Sequence, residues 1–118
     1  MATFFPELKS LHSPDLPQDQ RPVDPADAAV LFEASIGPKG QEEKEVFSFV
    51  AITPHALGRD QGTRWGRGYL ILNNVSWAGV EAAVRDLLLH CSGDNWAQAA
   101  EKLNREMHWE SRPTEHDV

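Results

Sequence analysis

A chain of 118 residues with 41% hydrophobic and 25% charged residues has the length of one domain and enough apolar content for one core without staples. No apolar run approaches the roughly 18 residues of a membrane span, and a net charge of −7 repels the phosphate backbone of nucleic acids. The single Cys91 excludes an internal disulfide, and the first ten residues lack a basic start followed by an apolar stretch, so a cytoplasmic chain without a signal peptide is expected.

The charge is unevenly spread. Residues 1–58 carry nine acids and four bases, residues 59–68 three arginines and one aspartate, and residues 76–118 eight acids and four bases. Acidic faces attract basic partners and speed their association. The same charge also keeps a small protein soluble.

Early in the chain, Pro14, Pro17, Pro22 and Pro25 forbid a long helix or an inner strand, because proline fixes φ and has no amide donor. A short edge strand over residues 7–12, then an extended loop, fits this stretch. Residues 29–36 alternate, with Val30, Phe32, Ala34 and Ile36 on one face and Leu31, Glu33 and Ser35 on the other, which predicts a strand. Gly37-Pro38-Lys39-Gly40 reads as a turn. A second strand over residues 46–53 puts Phe47, Phe49 and Ala51 on one face and Val46, Val50 and Ile52 on the other. Their closeness predicts an antiparallel hairpin, and apolar side chains on both faces place it inside the sheet. Pro54 ends the strand. Residues 58–68 form a Gly/Arg-rich loop, and residues 69–72 a third strand.

Two helices follow. Ser76 is a candidate N-cap, and Trp77, Val80, Val84, Leu87, Leu88 and Cys91 recur at spacings of three and four, which gathers them on one helical face. Gly93 stands where a C′ glycine would close this helix. Asp94 or Asn95 caps the next, whose stripe is Trp96, Ala99, Ala100, Leu103 and Met107. Trp77 and Trp96 are expected as core anchors, and Trp109 is expected to fold back beneath the last helix. Residues 1–7 and 111–118 are expected to be flexible. Strands followed by helices predict an α+β domain over residues 1–118: an antiparallel sheet of three to four strands, then two C-terminal helices packed on one face.

No catalytic constellation is legible. The histidines at 12, 55, 90, 108 and 116 show no i, i+4 pairing and no HExxH or CxxC spacing, and the adjacent His90 and Cys91 would point about 100° apart on a helix. No metal and no cofactor are therefore expected. Cys91 lies on an apolar stripe, where a thiol is packing rather than nucleophile. There is no GxSxG elbow, and His116-Asp117 lie in the tail. The loop at 58–68 has neither phosphate-binding glycine pattern nor a helix directly after it. It reads as a strand connection or as a protein-contact loop, since Arg64, Trp65 and Arg67 are residue types enriched in interface hot spots. Glu42, Glu43 and Glu45, at the predicted hairpin tip, read either as an ordinary solvated turn or as an acidic prong facing a basic partner.

Several segments together resemble the immunity protein 8 family of bacterial polymorphic-toxin systems. They are Ser13-Pro14-Asp15-Leu16, Ile36-Gly37-Pro38-Lys39-Gly40, Glu45-Val46-Phe47-Ser48-Phe49, Thr53-Pro54 with Leu57, Tyr69-Leu70-Ile71-Leu72, Gly93-Asp94-Asn95-Trp96, Ala100-Glu101-Lys102-Leu103 and Trp109-Glu110. Each is short, and their order and spacing over residues 8–110 carry the resemblance. The chain departs at Ser111, where the family commonly has an aromatic, and in the Arg- and Gly-rich loop. The resemblance implies a protein without catalysis that binds a cognate toxin C-terminal domain, a basic nuclease for instance, and blocks it. It transfers no site residue. The partner-contact candidates, read from the residues alone, are Glu42, Glu43, Glu45, Arg64, Trp65 and Arg67. The alternatives are a small-molecule-binding domain, which would need convergent polar groups in an apolar pocket, and a structural homodimer. Monomer and homodimer both remain open.

Overall fold

A computed structural model of the chain describes residues 3–18, 20–59 and 68–110. The elements run β1 (Pro6–His12), β2 (Ala29–Pro38), β3 (Glu45–Ile52), α1 (Pro54–Arg59), β4 (Tyr69–Ile71), α2 (Trp77–Leu88), α3 (Trp96–Glu106) and β5 (His108–Trp109). The strands form one sheet in the order β1-β2-β3-β4, with β5 also paired to β3. The fold is α+β, as the order of elements predicts.

The alternation of β2 and β3 sets the core. Val30, Phe32, Ala34 and Ile36 of β2 are buried, as are Phe47, Phe49 and Ala51 of β3. The antiparallel register places Phe32 opposite Phe49, their rings stacked at 5.9 Å. β1 pairs with β2 along the far edge, with Leu8 opposite Ile36 and Leu11 opposite Ala34. Two residues three apart would normally face opposite sides of a strand. A register shift between Leu8 and Ser10 absorbs one residue and returns Leu11 to the core face, which is what a β-bulge does.

Both long helices lie against this one face. Val80, Val84 and Leu88 of α2, then Cys91, join the same buried cluster as Ala100 and Leu103 of α3 and Met107 after it. Trp77 meets Phe32 edge-on at 5.1 Å. Ser76 caps α2 by accepting from Gly79 N at 3.0 Å. Asn95 caps α3 by accepting from Gln98 N at 2.9 Å, and Gln98 Oε1 accepts from Asp94 N in return, the reciprocal logic of a capping box.

Four expectations need correction. The sheet is mixed, because β4 runs parallel to β3, with Tyr69 beside Val50 and Ile71 beside Ile52. A parallel neighbour needs a crossover, and the crossover begins with α1, which the sequence reading missed. Thr53 caps that helix: its carbonyl accepts from Leu57 N, and its hydroxyl accepts from Ala56 N and Ala28 N. Pro54 both ends the strand and occupies the first helical position, where a missing donor costs nothing. Thirdly, Gly93 does not close α2. That helix ends at Leu88 with Leu89 as an αR C-cap, and Gly93 exchanges backbone hydrogen bonds with Phe4. Finally, pairing starts at Phe4 and Pro6, inside the stretch expected to be flexible. Residues 111–118 lie outside the described residues.

β5 and β4 share one flank of β3, end to end. Gly68 joins them by donating its amide to Glu106 O and accepting from Val50 N. Its φ of +88° suits glycine, and a Cβ there would stand 2.4 Å from His108 Nε2. The flank is closed by one side chain. Glu45, the first residue of β3, accepts from Trp96 Nε1 at 2.7 Å and from Trp109 Nε1 at 3.0 Å. Phe47, two residues along, stacks on Trp109 at 5.8 Å and meets Trp96 edge-on at 6.3 Å. Hydrogen bonds to a charged acceptor contribute about 1.5–3 kcal/mol each. Glu45→Ala should therefore lower unfolding stability by about 2 kcal/mol or more, read from urea titration. Glu45→Gln should lose less, because its one carbonyl oxygen can still serve one indole. A loss below about 0.5 kcal/mol for Glu45→Ala would contradict this account.

Candidate functional site

The predicted acidic tip divides into two parts. Glu42 and Glu43 are exposed in the β2–β3 connection, which opens with Gln41 N donating to Pro38 O and has Gly40 at a φ of +78°. Glu45 is half-buried, and its two carboxylate oxygens face Trp96 and Trp109. Arg64, Trp65 and Arg67 lie outside the described residues, so the structure brings none of them to the glutamates.

The connection does not project straight out. Gly37 continues the β2 row of Leu31, Glu33 and Ser35, on the face turned from the helices. A Cβ on Gly37 would stand 1.7 Å from Glu43 O. The connection thus folds over that face, and a side chain at position 37 would prise it off. This sets Glu42 and Glu43 at the border of the helix-free surface.

That surface has an ordered composition. Leu31, Val50 and Tyr69 line up across β2, β3 and β4. The next row is polar: His12, Glu33, Ser48 and His108, one from each of four strands. Ile71 is 56% exposed and Leu31 36%. The sequence carried the signal, since Val46, Val50 and Ile52 share a second apolar face of β3. That pattern fits an interior strand, which β3 is, and it equally fits a second apolar face on which Val46 and Val50 are half-buried and Ile52 is buried.

Two recesses stand out among the described residues and are not the full set. A cavity of about 140 Å³ lies between sheet and helices, lined by Phe49, Leu70, Val84 and Met107 among others, with Tyr69 and Glu106 also in its lining. A groove of about 240 Å³ runs between β1 and the end of α2, past Phe5, Leu88 and Leu89. Both fall below the roughly 300–1,000 Å³ of ordinary ligand pockets. Of the charged groups at the groove, Glu7 holds Lys9 at 2.6 Å and Arg85 holds Glu81 at 3.1 Å, and Lys39 lines it as well. Among the described residues no group of three or more His, Cys, Asp or Glu side chains comes together as metal ligands, and no helix is long and apolar enough to cross a membrane.

Cys91 is 3% exposed. Burial pushes its thiol above the ordinary range, with Glu106 adding to the effect and Lys102 and Arg105 opposing it. The nucleophile is the thiolate, so this group is packing material near neutral pH. Native Cys91 should label with a maleimide at least tenfold more slowly than in the urea-unfolded chain. Equal rates would mean that the thiol is accessible and ionised.

The family model of immunity protein 8 matches residues 6–112, which takes in every strand and helix from β1 to β5. No curated protein and no solved structure matches the chain. A match over nearly the whole length settles the family: the chain belongs to the immunity protein 8 family, a family of immunity proteins of toxin systems.

Proposed function

We propose that this chain protects its host by binding a cognate polymorphic-toxin domain one to one in the cytoplasm and occluding it, with no chemistry of its own. The observation that carries the reading is the family match over residues 6–112. The site geometry is consistent with it. The two recesses described above are small, Cys91 is buried, and Glu42 and Glu43 are exposed.

Protection at low toxin levels requires nanomolar affinity or better, about −12 kcal/mol. A standard interface of roughly 800 Å² per partner reaches that with a few well-packed anchors. Glu42 and Glu43 serve a steering role toward a basic toxin surface, with Arg64, Trp65 and Arg67 as further contacts. Glu45 belongs to the same acidic run but contributes through the tryptophans it positions.

Isothermal titration against the toxin-like C-terminal domain encoded directly upstream tests the reading, with a one-to-one nanomolar complex expected. No binding by the folded chain would remove it. Within such a complex, the Glu42→Lys/Glu43→Lys double variant should associate several-fold more slowly at low salt, and the difference should shrink as salt screens the charges. An unchanged association rate would mean that the two glutamates do not steer.

A further inference from the structure

We infer that the toxin docks on the helix-free face of the sheet, through an apolar centre at Leu31, Val50, Tyr69 and Ile71 bordered by acids, and that the matching toxin surface is apolar at its centre and basic at its rim. This rests on the immunity reading above. It adds the surface and the chemistry of the partner.

Three observations support it. The first is that α2 and α3 both pack on the opposite face, while among the described residues Leu31 and Ile71 stay 36% and 56% exposed on this one and Ile52, at its far end, is buried. Leu31, Val46, Val50 and Ile71 take no part in the buried cluster or in the partly buried residues packed against it, whereas α2 and α3 both contribute to that cluster. An antiparallel-type sheet commonly leaves one face to water, but that face is then polar. Here the register lines up Leu31, Val50 and Tyr69 as one continuous apolar row. Adjacent apolar side chains of this kind mark interaction surfaces, unlike scattered ones.

The second is charge. Glu33 lies within the face, Glu110 follows β5 with its amide on Val46 O, and Glu42 and Glu43 reach the border because their connection folds over Gly37. Among the described residues, Lys44 and Lys9, which is paired with Glu7, stand against these four acids. Such a rim fits a basic partner. It opposes a second copy of the same chain, which would bring like-charged rims together. The third is size. β1, β2 and β3 are 7, 10 and 8 residues long and β4 and β5 add 3 and 2 on one flank, which at about 3.3 Å per residue and about 4.8 Å between strands gives on the order of 400 Å² in projection. Side-chain relief and the folded connection raise that toward the roughly 800 Å² per partner of a standard interface.

Cysteine scanning tests this, because Cys91 is buried and gives a slow background. L31C and I71C on the face, and L89C at the end of α2 as a control (Leu89 is 73% exposed), are labelled with maleimide alone and with one equivalent of the upstream-encoded toxin domain. In the complex the L31C and I71C thiols should label at least tenfold more slowly and the L89C thiol at its free rate. A Leu31→Lys/Ile71→Lys variant with an unchanged thermal midpoint should bind at least tenfold more weakly, and Leu89→Lys should bind as wild type. If the wild-type chain binds the toxin but L31C and I71C label at their free rates in the complex, the docking face is elsewhere and the immunity reading stands. If the wild-type chain does not bind, both fall. Concentration-dependent protection of L31C and I71C in the free chain would make a second copy the occupant and overturn the assignment of a toxin.

Discussion

Glu45 accepts hydrogen bonds from two indoles that are 13 residues apart in the chain and 51 and 64 residues from it. The pair joins the start of β3, the first residue of α3 and the last strand around the buried ring of Phe47. A carboxylate suits the task because each oxygen serves one N–H donor, and because the indoles shield it only partly, its charge keeps contact with water. The C-terminal half of the fold depends on this junction. α3 is placed on the sheet by Trp96, and β5 is laid beside β3 by Trp109. Gly68 can then meet Glu106 only because the α3–β5 corner stands where the junction puts it. The same glutamate is therefore the least suited of its acidic run to reach a partner.

Much of this architecture was legible in the residues. The period-two alternation of residues 29–36 and 46–53 gave the central hairpin and its core face. The stripe from Trp77 to Cys91 gave α2, and Ser76 gave its cap. What escaped was set by contacts distant in sequence or by signals that admit two readings. Thr53-Pro54 marks a strand end and a helix start equally well, and reading it one way hid α1. With α1 hidden, the parallel placement of β4 could not follow, since a crossover was missing from the reckoning. Gly93 has the spacing of a helix-closing glycine, yet its conformation is decided by Phe4, about 90 residues upstream. Of the candidate site residues, sequence placed Glu42 and Glu43 correctly at an exposed turn, but it could not tell that Glu45 faces inward, because that depends on two tryptophans whose positions are tertiary.

The sheet explains how a protein of this size can offer a broad surface. All of its long helices are spent on one side, where they exclude water from Phe32, Phe47 and Phe49. Among the described residues the other side keeps apolar side chains of its own, with Leu31 and Ile71 exposed and Ile52 buried. Gly37, by admitting the chain where any side chain would block it, bends the acidic connection over the edge of that open side. Charge and apolar area are thus brought to one place by backbone geometry.

The central claim is that protection comes from stoichiometric binding, and the most direct measurement is toxin activity against increasing amounts of this chain at concentrations well above the dissociation constant. The account predicts a linear fall to zero at one equivalent, with native mass spectrometry showing a one-to-one complex at that point. Residual activity at several-fold excess would contradict occlusion, and complete loss at a small fraction of an equivalent would mean that the chain acts catalytically.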